Sequence, residues 1–261
     1  MGKNKLKKFA EMDTYEHVFQ ASFEDVKSKD FILKGKWHEK YFKNDRPIVL
    51  ELGCGKGEYT VGLAELFPEK NFIGIDIKGA RMHRGATDAV AKGLHNVAFI
   101  RTHIELMQSF FALGEIDEIW LTFPDPQMKK VRKRLTSSRF LNLYRTFLKP
   151  DGIIHLKTDS AFLYEYTNEL VKENAFCVMV NVQDLYKSDY QDEILSIQTY
   201  YETKWLDHGL PIKYLKFHLP VAGEIAEPEV EFEFDDYHSA GRGVKKREAF
   251  DKHADARRKG K

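Results

Sequence analysis

The sequence predicts a doubly wound α/β fold built around a mostly parallel sheet. Two observations carry this expectation. From residue 47 onward, short apolar runs alternate with stretches of helical length, the order that produces βαβ units and a sheet covered on both faces. The first apolar run ends in closely spaced glycines and leads directly into a helix, a junction at which the backbone must turn sharply. The chain has 261 residues, 43% hydrophobic and 31% charged. It is long enough for one substantial α/β domain with appendages or two small ones, with an ordinary soluble globular composition.

Taken in order, residues 1–46 are polar, charged and aromatic without a clean period, and read as an N-terminal arm with room for one short helix. Strands are expected at residues 47–53, 71–76, 97–101, 116–122, 153–157 and 176–180. Helices are expected between them at 58–67, 78–92, 104–111, 136–148 and 161–173. A further helix at 192–207 and an extended run at 212–219 complete a single domain spanning residues 47–219. Residues 220–261 form a tail in two parts. Residues 224–236 are acidic with alternating Val and Phe, an edge strand or a loop. Residues 242–261 hold nine Lys or Arg against three acids and are expected to be poorly ordered without a partner.

The net charge of +1 does not by itself point to nucleic acid, but the basic residues are clustered. Cys54 and Cys177 lie far apart and form no metal or redox motif, as expected in a reducing compartment. Residues 1–20 contain lysines but no apolar run behind them, so no secretory signal is expected. No stretch approaches the roughly 20 apolar residues of a membrane span. A cytoplasmic protein without a membrane or metal partner is the expectation.

The sharpest local feature is Val49-Leu50-Glu51-Leu52-Gly53-Cys54-Gly55-Lys56-Gly57. Glycines let a ligand approach the backbone, and the helix that follows offers unpaired N–H groups. The dinucleotide fingerprint G-x-G-x-x-G is not met, because the third glycine comes one residue early and Glu58 holds its place. That spacing argues against an oxidoreductase. An acidic residue at a strand end followed by G-x-G-x-G resembles motif I of the class I S-adenosylmethionine-dependent methyltransferases. In that likeness Glu51 helps position the amino-acid portion of the cofactor, directly or through water. The next strand ends in Asp76, whose carboxylate suits the two ribose hydroxyls of an adenosine. After the third strand come Thr102-His103-Ile104-Glu105. Either His103 or Glu105 could approach the adenine, and a plain helix-start role is the other reading of both.

The second strong feature follows the strand at 116–122: Phe123-Pro124-Asp125-Pro126-Gln127-Met128, then Lys129, Lys130, Arg132, Lys133 and Arg134 within six positions. Ligands of open parallel sheets bind beyond the carboxyl ends of the strands, so this loop is expected beside the cofactor. Two prolines stiffen the backbone around Asp125. The basic run is expected to hold phosphates of a polyanionic substrate. Without such a partner, its cations would oppose the dipole of the helix they introduce.

Together these residues resemble the tRNA (guanine-N7-)-methyltransferase family over roughly residues 30–218. The likeness rests on the segment from Phe123 to Leu135, on Leu156-Lys157-Thr158-Asp159, and on Thr199-Tyr200-Tyr201-Glu202 followed by Lys204-Trp205. It implies a Rossmann-like methyltransferase fold, its sheet mostly parallel with an antiparallel edge strand. It implies S-adenosyl-L-methionine held by Glu51, Gly53, Gly55, Asp76, His103 and Asp125, with Asp125 also catalytic. It further implies substrate contacts from Lys129, Asp159, Thr199, Tyr200, Tyr201 and Glu202, and an RNA-binding surface of Lys130, Arg132, Lys133 and Arg134. The partner would be tRNA, methylated at the variable-loop guanine. The sequence departs from the family pattern in three places: Gln127 and Met128 replace Trp and Pro or His, the basic run has no histidine, and His103 stands where an Asp is usual.

Guanine N7 carries an exposed lone pair, so no proton must leave before attack and positioning with electrostatics should dominate. Two other readings compete. An exocyclic-amine methyltransferase would carry Asn/Asp-Pro-Pro-aromatic after the same strand, and Phe-Pro-Asp-Pro differs in order. A non-catalytic RNA-binding protein would be expected to have lost the cofactor residues, all of which are present.

Overall fold

The computed structural model describes residues 3–190, 192–197, 202, 206 and 210–235. In chain order it contains α1 (Lys3–Met12), β1 (Val18–Gln20), α2 (Phe23–Val26), a π-turn (Trp37–Phe42), β2 (Ile48–Leu52), α3 (Glu58–Leu66), β3 (Asn71–Ile75), α4 (Gly79–Ala91) and β4 (Val97–Arg101). A 3₁₀ turn (Ile104–Ser109), β5 (Ile116–Thr122), a second 3₁₀ turn (Val131–Lys133), α5 (Ser138–Tyr144), β6 (Leu148–Thr158), α6 (Ala161–Glu173), β7 (Val178–Val182), a third 3₁₀ turn (Glu193–Ser196) and β8 (Lys213–His218) follow.

The eight strands form one sheet in the order β1-β4-β3-β2-β5-β6-β8-β7. The pairs from β1 through β6 are parallel, and β8 is antiparallel to both β6 and β7. The strand expected at the antiparallel edge therefore lies one place in, with β7 outside it. Strand order reverses between β2 and β5, the position where open α/β sheets bind ligands.

Side chains alternate across the sheet and fill two cores. Ile48, Leu50 and Leu52 of β2, with Ile119 and Leu121 of β5, pack on one face with Phe140, Tyr144, Leu163 and Tyr166 of α5 and α6. Val49 and Trp120 face the other way, against Tyr59, Val61 and Met82 of α3 and α4. This burial on both faces is why the strands read as continuous apolar runs.

Residues 3–46 depart from the expected arm. β1 extends the sheet beside β4, and Met12 joins the core against α4. Trp37 is fully buried, its indole N–H donating to the Phe110 carbonyl at 3.0 Å. The Glu115 carboxylate accepts from the amides of Gly35, Trp37 and Ala112 at 2.8, 3.1 and 2.9 Å. The expected helix at 104–111 is a 3₁₀ turn, and that at 136–148 is shortened to α5. Of the expected helix at 192–207, the described residues include the 3₁₀ turn Glu193–Ser196 and, farther on, Glu202 and Leu206, both helical. Residues 224–235 pair with no strand. The basic segment 242–261 lies outside the described residues. Among those described, no helix is long and apolar enough to cross a membrane.

Candidate active site

Because β2, β3, β4, β5 and β6 are parallel, the loops leaving their carboxyl ends share one side of the sheet. The loop after β2 is shaped by its glycines. Gly53, Gly55 and Gly57 have φ of 84°, 57° and 71°, a region open to glycine without strain. The amides of Gly53 and Cys54 both donate to the Ile75 carbonyl, at 2.7 and 3.0 Å, fixing the loop to the end of β3. A Cβ on Gly53 would meet nothing within 4 Å, and one on Gly55 only the Gly53 carbonyl at 3.9 Å. The loop thus leaves open space above its backbone, as a cradle for a ligand requires. Gly57 serves a different end. A Cβ there would lie 2.7 Å from the Phe99 ring and 3.2 Å from Gly85 Cα, so its absence lets α3 close on α4.

Glu51 is 3% exposed. Its carboxylate accepts from the Thr60 amide at 2.8 Å and from the hydroxyls of Thr60 and Thr122. Burial raises its pKa to about 7 against the pull of these donors, and the nearby Asp76 charge adds to the rise. Glu51 thus ties β2 to α3 and β5 while placing a titratable acid beneath the glycine loop. Thr60 and Thr122 went unnoticed in the sequence, since hydroxyls carry no motif signal. Asp76 is half-buried; its Oδ2 accepts from the Gly55 amide at 2.9 Å and its Oδ1 from the Lys78 amide at 2.7 Å. Each carboxylate oxygen has a second lone pair, so Asp76 can shape the loop and still accept from ribose hydroxyls. His103 is exposed at the end of β4, where it precedes the 3₁₀ turn without a side-chain cap bond.

The loop after β5 is strained around its carboxylate. Phe123 and Gln127, on either side of Pro124-Asp125-Pro126, take φ of 48° and 47°. Non-glycine residues held there cost of order 1–3 kcal/mol each and cluster at functional sites. The Phe123 amide donates to the Lys157 carbonyl at 2.8 Å, and the Gln127 amide to Asp125 Oδ1 at 3.1 Å. Both prolines are buried while Asp125 is exposed. The loop holds the aspartate backbone against the core and presents its carboxylate outward.

Lys129, Lys130, Arg132 and Lys133 are exposed, as a phosphate-binding surface requires. Arg134 is not part of that surface. It is 4% exposed, donates to the Met128 carbonyl at 2.6 Å, and its guanidinium lies 4.6 Å from the Phe162 ring and 4.4 Å from the Tyr166 ring. The stacking partners lie on α6, far along the chain, so spacing alone gave no sign that this cation turns inward.

At the end of β6, Asp159 is 8% exposed, and its Oδ1 is buried without a hydrogen-bond partner among the described residues. Burial raises its pKa to about 6; Lys213 opposes the rise and Asp235 adds to it. A buried acceptor of this kind can take a hydrogen bond from an ordered water or from a bound molecule. Glu202 departs from the expected substrate contact. It is fully buried in an ion pair with Lys157 at 2.7 Å and accepts from the Tyr186 hydroxyl at 2.7 Å. Lys157 also donates to the Leu195 carbonyl at 3.1 Å, which draws the segment after β7 onto the sheet. A lysine inside an apolar strand was the overlooked signal. Thr199, Tyr200 and Tyr201 lie outside the described residues. Among those described, no three His, Cys, Asp or Glu side chains converge to hold a metal ion.

The sequence matches a family model described as "Putative methyltransferase" over residues 45–215. It is 60% identical to the tRNA (guanine-N(7)-)-methyltransferase of Bacteroides thetaiotaomicron over 93% of this chain and 96% of that protein. With the protein of the same name from Porphyromonas gingivalis it shares 57% identity over 88% of this chain and 96% of the relative. Among solved structures, the 16S rRNA methyltransferase KamB aligns with a TM-score of 0.54 at 14% identity, covering 70% of this chain and 92% of that one. A mutant of the 16S rRNA (adenine(1408)-N(1))-methyltransferase from Catenulisporales acidiphilia, solved with its cosubstrate SAM, aligns with a TM-score of 0.52 at 18% identity, covering 76% and 93%. At these identities the two structures share the fold.

Proposed function

The chain belongs to the tRNA (guanine-N(7)-)-methyltransferase family, and from that membership we propose how its residues divide the work. It transfers a methyl group from S-adenosyl-L-methionine to N7 of a guanine in tRNA. The observation that carries the site assignment is the strained Pro124-Asp125-Pro126 loop, which sets one exposed carboxylate beside the glycine cradle at the reversal of strand order.

The open space above Gly53 and Gly55, with Asp76 at the end of the next strand, fits the cofactor. When bound, S-adenosyl-L-methionine supplies an electrophilic methyl group on sulfur. Gly53 and Gly55 would admit it close to the backbone, Asp76 would accept from its ribose hydroxyls, and Glu51 would favour its ammonium group through charge. His103 stands at the end of β4 to meet the adenine edge.

On the substrate side, Asp125 would accept from the N1–H and exocyclic amine of guanine, which selects guanine over adenine. The same carboxylate stabilises the positive charge that N7 methylation leaves on the ring. Asp159, with its orphaned Oδ1, serves as a second acceptor near the base. Lys129, Lys130, Arg132 and Lys133 hold phosphates and set the register of the RNA. Thr199, Tyr200 and Tyr201 complete the substrate contacts by resemblance to the family. Glu202 serves that segment as a buried anchor on Lys157.

We place the target in the variable loop, where an unstacked guanine can present N7, and the reaction in the cytoplasm. Borohydride reduction and aniline scission of methylated tRNA locate the position. Scission at a single guanine in the variable loop is expected; scission elsewhere would reassign the target while leaving the chemistry in place.

A further inference from the structure

α1 runs alongside α4 in the same direction. The Phe9 ring packs on Gly79, the first residue of α4, where a Cβ would lie 2.6 Å from the ring. Two residues on, Glu11 pairs with His83 at 3.0 Å, and farther along the Tyr15 hydroxyl meets that of Thr87 at 3.4 Å. α4 begins where β3 ends, on the side of the sheet that carries the glycine loop and Asp76. The Arg101 guanidinium, at the end of β4, lies 4.4 Å from the Phe9 ring and sets the same level. Residues 3–8 of α1 therefore project past the start of α4 by about 9 Å, at 1.5 Å per residue, toward the side from which a substrate approaches.

The projecting end is basic. Lys7 is exposed and Lys8 half-buried, one and two residues from the Phe9 contact with Gly79. Lys78 adjoins that contact from the α4 side and is exposed, as is Arg81 in the first turn of α4. The sequence has no acid at residues 3–10 or 77–87. The next acid along α1, Glu11, is taken up by His83 and by the Tyr15 hydroxyl at 3.1 Å. Two helices thus start side by side with cations and without carboxylates in their first turns. Cations there oppose both helix dipoles, and a bound polyanion removes the conflict. Strand order places β3 and β2 between β4 and β5, so β4 and β5 are three strand spacings apart, roughly 14 Å. The lysines beside β4 and the basic run after β5 therefore flank the glycine cradle from opposite sides.

We propose that Lys7, Lys8 and Lys78 form a second phosphate-binding surface for the tRNA, across the cofactor loop from Lys129, Lys130, Arg132 and Lys133. This rests on tRNA being the substrate. The test uses the full chain with Lys7→Gln, Lys8→Gln and Lys78→Gln combined. Affinity for tRNA is measured across a salt series, together with S-adenosyl-L-methionine affinity and the thermal midpoint. Neutralising the three lysines should weaken tRNA binding about tenfold or more near 0.1 M salt and flatten the salt dependence by roughly 0.7–0.9 in log–log slope per lost phosphate contact. Cofactor affinity and the thermal midpoint should hold. Arg at the same three positions keeps the charge and should restore both affinity and slope. Phe9→Ala keeps every cation but loosens α1 from α4, and an intermediate loss of tRNA affinity is expected.

Unchanged tRNA affinity and salt slope in the Gln variant would overturn the proposal. So would a loss confined to cofactor affinity, which is the outcome if these lysines serve the cofactor loop instead. Failure of the unaltered chain to methylate tRNA would count against the substrate assignment itself, a separate result from failure of the lysine variant alone.

Discussion

Asp125 and Arg134 are nine residues apart and show how far a residue's role can be read from its type. Asp125 was legible because two prolines bracket it after a strand, and the structure adds the strained Phe123 and Gln127 on either side. Asp125→Ala should lower kcat roughly 10²–10³-fold, the usual cost of losing a preorganised electrostatic contact, while tRNA binding is retained; near-normal turnover would remove the role assigned here. Arg134 was misread as surface because five cations in six positions look alike in sequence, whereas burial depends on the aromatic rings of α6. The two kinds of cation should separate by experiment. Arg134→Ala should lower the thermal midpoint, with a cost of about 2 kcal/mol from lost stacking and a lost hydrogen bond. Arg132→Ala should leave stability alone and weaken tRNA binding. The reverse pattern would mean that the inward placement of Arg134 is wrong.

Elements long enough to show a period or an unbroken apolar run were readable. β2, β3, β4 and β5 each lie within or match their expected ranges, because strands buried on both faces need little context. β1 was not readable: three residues in a polar segment become a strand only because β4 offers an open edge. The course of residues 220–235 along α6 was equally hidden, since its anchors, Glu227 on Ser138 and Tyr166 and Asp235 on Ser160 and Phe162, are single side chains rather than a periodic face. The glycine loop was recognised as a unit, but its members differ. Gly57→Ala would push a Cβ to within 2.7 Å of the Phe99 ring and force a left-handed Ala, so a loss of roughly 2–4 kcal/mol in denaturant unfolding is expected. Gly53→Ala has open space but the same backbone penalty. It should cost about 1–2 kcal/mol and act mainly on cofactor affinity, measurable by calorimetry. Equal stability losses in the two variants would contradict the distinction between cradle and packing glycine.

At the scale of the whole molecule, parallel strands gather the site on one side, while the body of the sheet is tied together by a buried polar network. Glu118 of β5 pairs with Lys70 at 2.6 Å and with His155 of β6 at 3.1 Å, and His155 stacks on Trp120 and bonds the Tyr214 hydroxyl at 2.8 Å. Burial works against the Glu118 charge, but His155 and Lys70 outweigh it and hold the carboxyl at about 2, below its ordinary 4.5. A carboxyl depressed by folding contributes stability that is present above pH 4.5 and lost as pH falls toward 2. Urea midpoints should therefore fall through that window, and Glu118→Gln should flatten the fall; an unchanged acid profile in the variant would count against the pairing. The central claim is that this sheet positions S-adenosyl-L-methionine against guanine N7 of tRNA, and one assay tests it most directly. The protein is incubated with methyl-labelled S-adenosyl-L-methionine and unmodified tRNA, and the digested nucleosides are separated. Label in 7-methylguanosine is the expected result. Label in another nucleoside, or none while the cofactor still binds, would contradict it.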